Sequence, residues 1–298
     1  MQPIVECVAN FSEGRRRDVI AAIARAIASA AGVHVLGVEG DVYHNRSVVS
    51  FIGAPEYIAR AAIEGIRAAA DLIDMRKHHG QHPCIGAADV IPFVPLRNVT
   101  MAECIQLARS TGERAGAELG LPVFLYGEAA LQEANRELAA IRRGGYEGLA
   151  VRMTTGEPPQ PDFGPPTLGR AGGCIVGARP ILIAFNVFLN TADVRVAQAI
   201  ARTIRESSGG LPCVKALGLF VKGKAQVSMN LTDYRVTSLG AVGERIRQEA
   251  ECFGAGIESS EIIGLIPRAA LAGTSISELR ITNFAPEKLL EHHLDKGL

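Results

Sequence analysis

Apolar residues recur along the chain in two alternating rhythms. An apolar run at Ile4–Ala9 opens the first half. Val19, Ile20, Ile23 and Ile27 then repeat at spacings of three and four, the signature of an amphipathic helix. Extended runs at Val33–Val38 and Ser47–Gly53 follow, joined by a polar turn around Asp41–Arg46. Pro55 starts a second helix, with Ile58, Ala62, Ile66 and Ala69 along one stripe, and Asp89–Val94 reads as a final strand. The order is strand, helix, strand, strand, helix, strand.

The second half repeats that order. Ile181–Leu189 reads as a strand and Ala192–Glu206 as a helix. Val214–Val221 and Ala225–Leu231 read as a hairpin around Lys222-Gly223-Lys224, where glycine supplies the turn geometry. Gly240–Phe253 is a helix with Val242, Ile246 and Ala250 four apart, and Ile257–Ile263 closes the set. Two copies of β-α-β-β-α-β predict an α/β (α+β) chain of two ferredoxin-like subdomains, at 1–178 and 179–298. A ligand cleft between the two halves is expected, because pockets favour such junctions. Between the repeats, Met101–Leu119 reads as an added helix, Val123–Tyr126 as a strand, and Ala134–Arg142 as a further helix. Residues 154–173 collect glycine and proline and read as a loop, either a binding loop or a passive linker.

Composition narrows the function. Lys plus Arg and Asp plus Glu both number 31, so no net basic charge marks a nucleic-acid or anionic-membrane partner. Six cysteines are scattered without a CxxC pair, which excludes a zinc ribbon or dithiol motif and suits a reducing, cytoplasmic setting. The N-terminus has neither the basic nor the long apolar segment of a signal peptide, and apolar runs such as Ile181–Phe185 are far shorter than the ~20 residues of a membrane span.

The densest chemistry is Lys77-His78-His79-Gly80-Gln81-His82-Pro83, where three of the seven histidines fall within five residues. Imidazoles at that density suit a metal site, a proton-transfer site, or a cationic helix end. No HExxH spacing or adjacent carboxylate favours the metal, and Pro83 restricts the backbone beside His82. Asn10 and Glu13, in Asn10-Phe11-Ser12-Glu13-Gly14, place an amide and a carboxylate after the first strand, either as a helix cap or as a site. Asn45 and Arg46 sit in the turn before the third strand; the guanidinium fork suits a carboxylate. Lys77, Arg179, Lys222 and Lys224 are further cations at turns or strand ends. Gly169–Gly173 fits neither GxGxxG nor a phosphate loop, and no GxSxG elbow appears.

Several segments together resemble the formiminotransferase domain of formiminotransferase-cyclodeaminase. They are Val5–Gly14, the Asn45-Arg46 pair, Leu72–Pro83 with Ile85–Pro95, Leu125–Ala130, Pro161–Pro165 with Gly177–Arg179, Leu182–Asn186 and Ala225–Leu231. The resemblance runs in order over nearly the whole chain. It implies a glutamate formimidoyltransferase, which moves a formimidoyl group between N-formimidoyl-L-glutamate and N5 of tetrahydrofolate. Tetrahydrofolate would be a cosubstrate, with no metal. His82 would be the catalytic residue. Asn10, Glu13, Asn45, Arg46 and Asp162 would bind substrate or folate, together with Gly164, Pro165, Pro166, Thr167, Leu168, Gly169, Arg170, Ala171 and Gly172. A homodimer working on small molecules in the cytoplasm is implied, without cyclodeaminase activity. Two alternatives remain: formyl transfer from 5-formyltetrahydrofolate to glutamate, and a non-catalytic folate-binding module.

Overall fold

The computed structural model describes residues 2–81 and 83–294; His82 lies outside the described residues. The chain divides into two compact units, Met1–Arg179 and Pro180–Leu298.

In the first unit the elements are β1 (Ile4–Phe11), α1 (Arg17–Ala28), β2 (Val33–Asp41), β3 (Arg46–Gly53), α2 (Pro55–Leu72), β4 (Ala88–Arg97), α3 (Met101–Leu119), β5 (Val123–Gly127), α4 (Glu133–Arg136), α5 (Leu138–Ile141), α6 (Gly145–Thr155) and β6 (Cys174–Ala178). The sheet order is β2-β3-β1-β4-β6-β5. The first four strands are the antiparallel ferredoxin-like set, and β6 and β5 extend it with parallel pairing next to β4. Alternation along β1 sends Val5, Cys7, Ala9 and Phe11 into one core, where they meet Ile23, Ile27, Ile58 and Ile66 from α1 and α2. The opposite face of β4, β5 and β6 is covered by a smaller cluster built on Ile141, Leu149 and Met153.

The second unit contains β7 (Ile183–Leu189), α7 (Val194–Ile204), β8 (Val214–Val221), β9 (Lys224–Leu231), α8 (Leu239–Cys252), β10 (Ile257–Ile263) and α9 (Leu290–Leu294). Its sheet order, β10-β7-β9-β8, repeats that of the first four strands. The β8–β9 hairpin turns on Lys222 and Gly223, at φ 53° and 78°. Two left-handed residues in a row give the twist that a two-residue hairpin requires. The α/β (α+β) reading with two ferredoxin-like subdomains is therefore observed, with a two-strand addition to the first.

Three local departures have physical causes. The expected helix over Ala134–Arg142 is broken at Glu137, which is extended. Gln132 and Asn135 are drawn sideways onto Asp162, and Arg142 onto Asp89. Helix α6 was not anticipated, because only Leu149 and Met153 of its residues are buried. Residues 161–173 do not run out of the unit as a linker. Their first part hydrogen-bonds to β5 through Asp162 N–H and Val123 O (2.7 Å), and the chain then returns as β6. Pro92 and Pro95 sit inside central strand β4, where proline removes ladder donors. The β1–β4 register shifts beside Pro95, between Ile4 and Val5, and again between Asn10 and Phe11.

The return of the loop needs two backbones closer than side chains allow. Gly86 bridges Gly172, and a Cβ on Gly86 would lie 1.7 Å from Gly173 O. Gly86→Ala is therefore expected to cost about 2 kcal/mol or more. Gly37, which has no neighbour within 4 Å of an added Cβ, is the control: Gly37→Ala should change stability by less than about 0.5 kcal/mol. Urea unfolding of both variants followed by circular dichroism checks this; equal stabilities would show that the approach relaxes freely.

Candidate active site

The site is assembled at the end of β1. Glu13 accepts hydrogen bonds from the backbone N–H of Arg15 and Arg16 (both 2.9 Å), just before α1, and its other oxygen takes the Arg16 Nε–H at 2.5 Å. Burial alone would raise the Glu13 pKa, but these donors hold it below the usual carboxylate value. Asn10, three residues back, accepts from the Arg46 guanidinium and donates to Val8 O (2.8 Å). The turn that carries Arg46 is shaped by Asp41, whose carboxylate accepts from Tyr43 N–H (2.8 Å) and His44 N–H (2.9 Å) and pairs with His44 Nδ1 (2.9 Å).

Asn45 ties three segments together. It is buried and left-handed at φ 48°. Asparagine tolerates that conformation better than most side chains. Its Oδ1 accepts from Gly14 N–H (3.0 Å). Its Nδ2 donates to His79 O (3.1 Å) and lies 3.3 Å from His78 Nδ1. Gly80 completes the junction: a Cβ there would lie 2.3 Å from His44 O. Downstream, Ile85 N–H donates to Asp89 Oδ1 (2.8 Å), and Ser12 Oγ donates to Gly86 O (2.7 Å). The histidine segment is thus anchored on both sides of position 82. Met75, His78, His79, Gly80, Pro83 and Cys84 line one side of a cleft whose other side is Gly145, Tyr146 and Glu147 at the start of α6.

The loop reaches this segment at its far end only. Met75 N–H donates to Arg170 O (2.8 Å), Ala87 N–H to Ala171 O (2.8 Å) and Gly173 N–H to Ile85 O (3.0 Å). The Arg170 guanidinium donates to Ala70 O (2.9 Å) and Asp71 O (2.8 Å), and Tyr146 Oη donates to Gly169 O (3.2 Å). Gly164 lies away from this junction: it is left-handed at φ 77°, and a Cβ there would lie 2.0 Å from Leu121 O. Between them Pro166, Thr167 and Gly169 are exposed. Asp162 stands apart: its carboxylate accepts from Leu125 N–H (2.7 Å), Gln132 (2.9 Å) and Asn135 (3.0 Å), so it fastens the loop to β5.

Two charged groups here carry no signal in the sequence. Arg142 and Asp89 form a buried ion pair, visible only once the helix end and the strand start are brought together. Burial, then the neighbouring Arg142, lower the Arg46 pKa to about 10, so it stays cationic at neutral pH. Burial, then Asp89, push the Cys84 thiol up to about 11. A thiol so rarely ionised is a poor nucleophile, which argues against covalent catalysis through Cys84. Burial also lowers the pKa of His78. Among the described residues no group of three or more His, Cys, Asp or Glu could hold a metal ion, and no helix is long and apolar enough to cross a membrane. Of the other cations, Lys224 pairs with Glu258, and Lys222 Nζ lies 5.6 Å from the Phe188 ring centroid.

These features define a two-unit α/β protein with a histidine-bearing polar site at a strand end. The formiminotransferase domain, N-terminal subdomain, matches residues 4–179, and the formiminotransferase domain matches residues 184–278. A glutamate formimidoyltransferase of Thermoplasma acidophilum is 46% identical over 297 residues, covering 99% of this chain and 98% of its own length. One from Streptococcus pyogenes serotype M1 is 40% identical over 298 residues, covering 99% of each. A formimidoyltransferase-cyclodeaminase of Dictyostelium discoideum is 44% identical over 281 residues, which is 91% of this chain and 52% of that protein. The chain belongs to the formiminotransferase family.

Glu6 is a further buried acid, on β1 and on the opposite side of the strand from the core residues Val5 and Cys7. Burial raises its pKa to about 7, with Arg179 partly opposing the rise. Its folded pKa exceeds the ordinary value of 4.5, so the folded state binds this proton more tightly than the unfolded state does. The resulting penalty is absent below about pH 4.5, grows as pH rises to about 7, and is full above it. Glu6→Gln should therefore stabilise the protein at pH 8 by up to about 3 kcal/mol, with the gain fading at pH 4.5. Urea unfolding at both pH values checks this; a variant less stable than wild type at pH 8 would show that the carboxylate is held as an anion.

Proposed function

We propose that this protein is a glutamate formimidoyltransferase using tetrahydrofolate as cosubstrate, with His82 as its acid–base residue. The observation that carries the reading is the anchoring of the histidine segment. Asn45 holds it before position 82 and Asp89 after it, in a chain 46% identical to a glutamate formimidoyltransferase over almost its full length. Such anchoring holds the backbone that flanks the histidine segment, a support that a positioned acid–base group requires.

The chemistry follows from the substrates. The formimidoyl carbon becomes electrophilic when its nitrogen is protonated. N5 of tetrahydrofolate attacks that carbon, forming an N5–C bond and a tetrahedral adduct. The bond from carbon to the glutamate nitrogen then breaks. In this reading His82 takes the proton from N5 and returns it to the departing glutamate nitrogen, so one imidazole serves both steps. Arg46, cationic and fixed on Asn10, is a candidate partner for a substrate carboxylate. Residues 165–169 are the candidate folate contact, since Pro166, Thr167 and Gly169 are exposed while Gly164 and Arg170 beside them are held by the fold.

The deciding experiment is turnover of N-formimidoyl-L-glutamate with tetrahydrofolate by the purified protein, alongside N-formyl-L-glutamate as donor. Formimidoyl transfer is expected. Transfer only from the formyl donor would replace the substrate, and folate binding without turnover of either would leave a binding module. His82→Ala should lower kcat by about 10²-fold with folate binding retained; near-normal kcat would remove His82 from the mechanism. Hydrogen exchange should slow across residues 164–170 when folate is added, and unchanged exchange there with protection elsewhere would make that stretch structural only.

A further inference from the structure

Two of the motifs singled out in the sequence, Leu182–Asn186 and Ala225–Leu231, are not used by the site described above. In the fold they become neighbouring strands, β7 and β9. Alternate residues of both point into the core with α7 and α8, among them Phe185, Val187, Val227 and Met229. The residues between them therefore lie on the opposite face of the sheet. There Asn186 stands across from Ser228 and from Glu261, and Phe188 stands across from Gln226.

Gln226 is fully buried, and neither its Nε2 nor its Oε1 has a hydrogen-bond partner among the described residues. Its direct cross-strand neighbours on that face are Phe188 and Leu219, which offer no polar side-chain atom. Asn186, one pair further along, already donates to Glu261 Oε1 at 3.1 Å. A buried carboxamide without partners destabilises the fold, and a leucine of similar size would avoid that cost. A buried carboxamide that its own fold leaves unanswered points to a partner outside the fold.

We propose that Gln226 is a specificity-determining residue, its Nε2–H donating to and its Oε1 accepting from a ligand edge that carries an acceptor and a donor side by side. The inference rests on the transferase reading, because both of that reaction's substrates carry such an edge. One is the formimidoyl group before it is protonated, a neutral amidine with an imine nitrogen and an N–H. The other is the lactam of the pterin ring, with its carbonyl and ring N–H. The carboxamide is the side chain whose donor and acceptor match either edge together. Sites built to pair a ligand's polar edge discriminate strongly, because the wrong partner leaves buried groups unanswered.

The test is Gln226→Leu in the full chain, with Gln226→Met made in parallel in case the first does not fold. Thermal unfolding is measured without ligand. Affinity for 5-formyltetrahydrofolate is measured by calorimetry, and KM for N-formimidoyl-L-glutamate with tetrahydrofolate saturating. The ligand-free variant is expected to be at least as stable as wild type. One of the two ligand readouts should weaken by about tenfold or more, the scale for a lost polar contact to a buried edge. Weakened folate binding assigns Gln226 to the pterin, and a raised KM alone assigns it to the amidine. Both readouts within twofold of wild type would overturn the proposal. Wild-type turnover, measured first, keeps the two readings apart: an inactive wild type that binds folate refutes the transferase reading and still tests Gln226 through the folate arm. A wild type that binds neither ligand overturns both.

Discussion

The first unit depends on the contact of two backbones at Gly86 and Gly172–Gly173. No side chain fits there, since a Cβ on Gly86 would overlap Gly173 O and one on Gly172 would lie 2.2 Å from Ile85 O. This contact brings the segment before β4 and the segment before β6 into one pairing, so that β6 can lie parallel to β4. The same pairing fixes Ile85–Ala87, the downstream end of the histidine segment. Strand order, loop path and site geometry thus follow from one steric requirement that only glycine meets.

A second constraint is electrostatic. The chain has no net charge, yet Glu6, Glu13, Asp89 and Arg142 are all buried in the first unit, with Arg46 close to Arg142 and Asp89. Asp89 is stabilised by Arg142 and by Ile85 N–H, and Glu13 by Arg16 and two backbone donors. Glu6 is the exception, with burial outweighing Arg179. Buried ion pairs of this kind do not add much net stability, because desolvation offsets attraction. What they supply is orientation: Asp89 holds the Ile85 backbone N–H with one oxygen and Arg142 with the other. A site that must receive charged substrates gains from groups already held in place, since little reorganisation is left for the reaction step.

Asn45 links these two constraints. Its amide joins the end of β1, the β2–β3 turn and the histidine segment, three stretches separated by some thirty residues each. In sequence it reads as a hairpin-tip residue or a ligand-binding group. In the fold its Oδ1 and Nδ2 have protein partners, so its observed role is to position the backbone around His78–Gly80. Asp162 shows the same shift from ligand-facing expectation to internal fastening. In the proposed transfer, Arg46 and residues 165–169 are the candidate ligand contacts.

The sequence by itself determined the two β-α-β-β-α-β units and the strand alternation, because periodic burial is written in residues close together in the chain. It also singled out the histidine segment, whose local density needs no partner to be seen. Its limits appear where a residue's role depends on a distant neighbour. The helix expected over Ala134–Arg142 breaks because Asp162 and Asp89 compete for its side chains. Strand β6 forms because Gly86 and Gly172 allow it to be drawn in. Glu6 and Gln226 look like ordinary polar positions in strands, and only packing shows that one is a buried acid and the other an amide without partners. Burial and hydrogen-bond satisfaction belong to pairs of residues rather than single ones, and those pairs exist only in the tertiary structure.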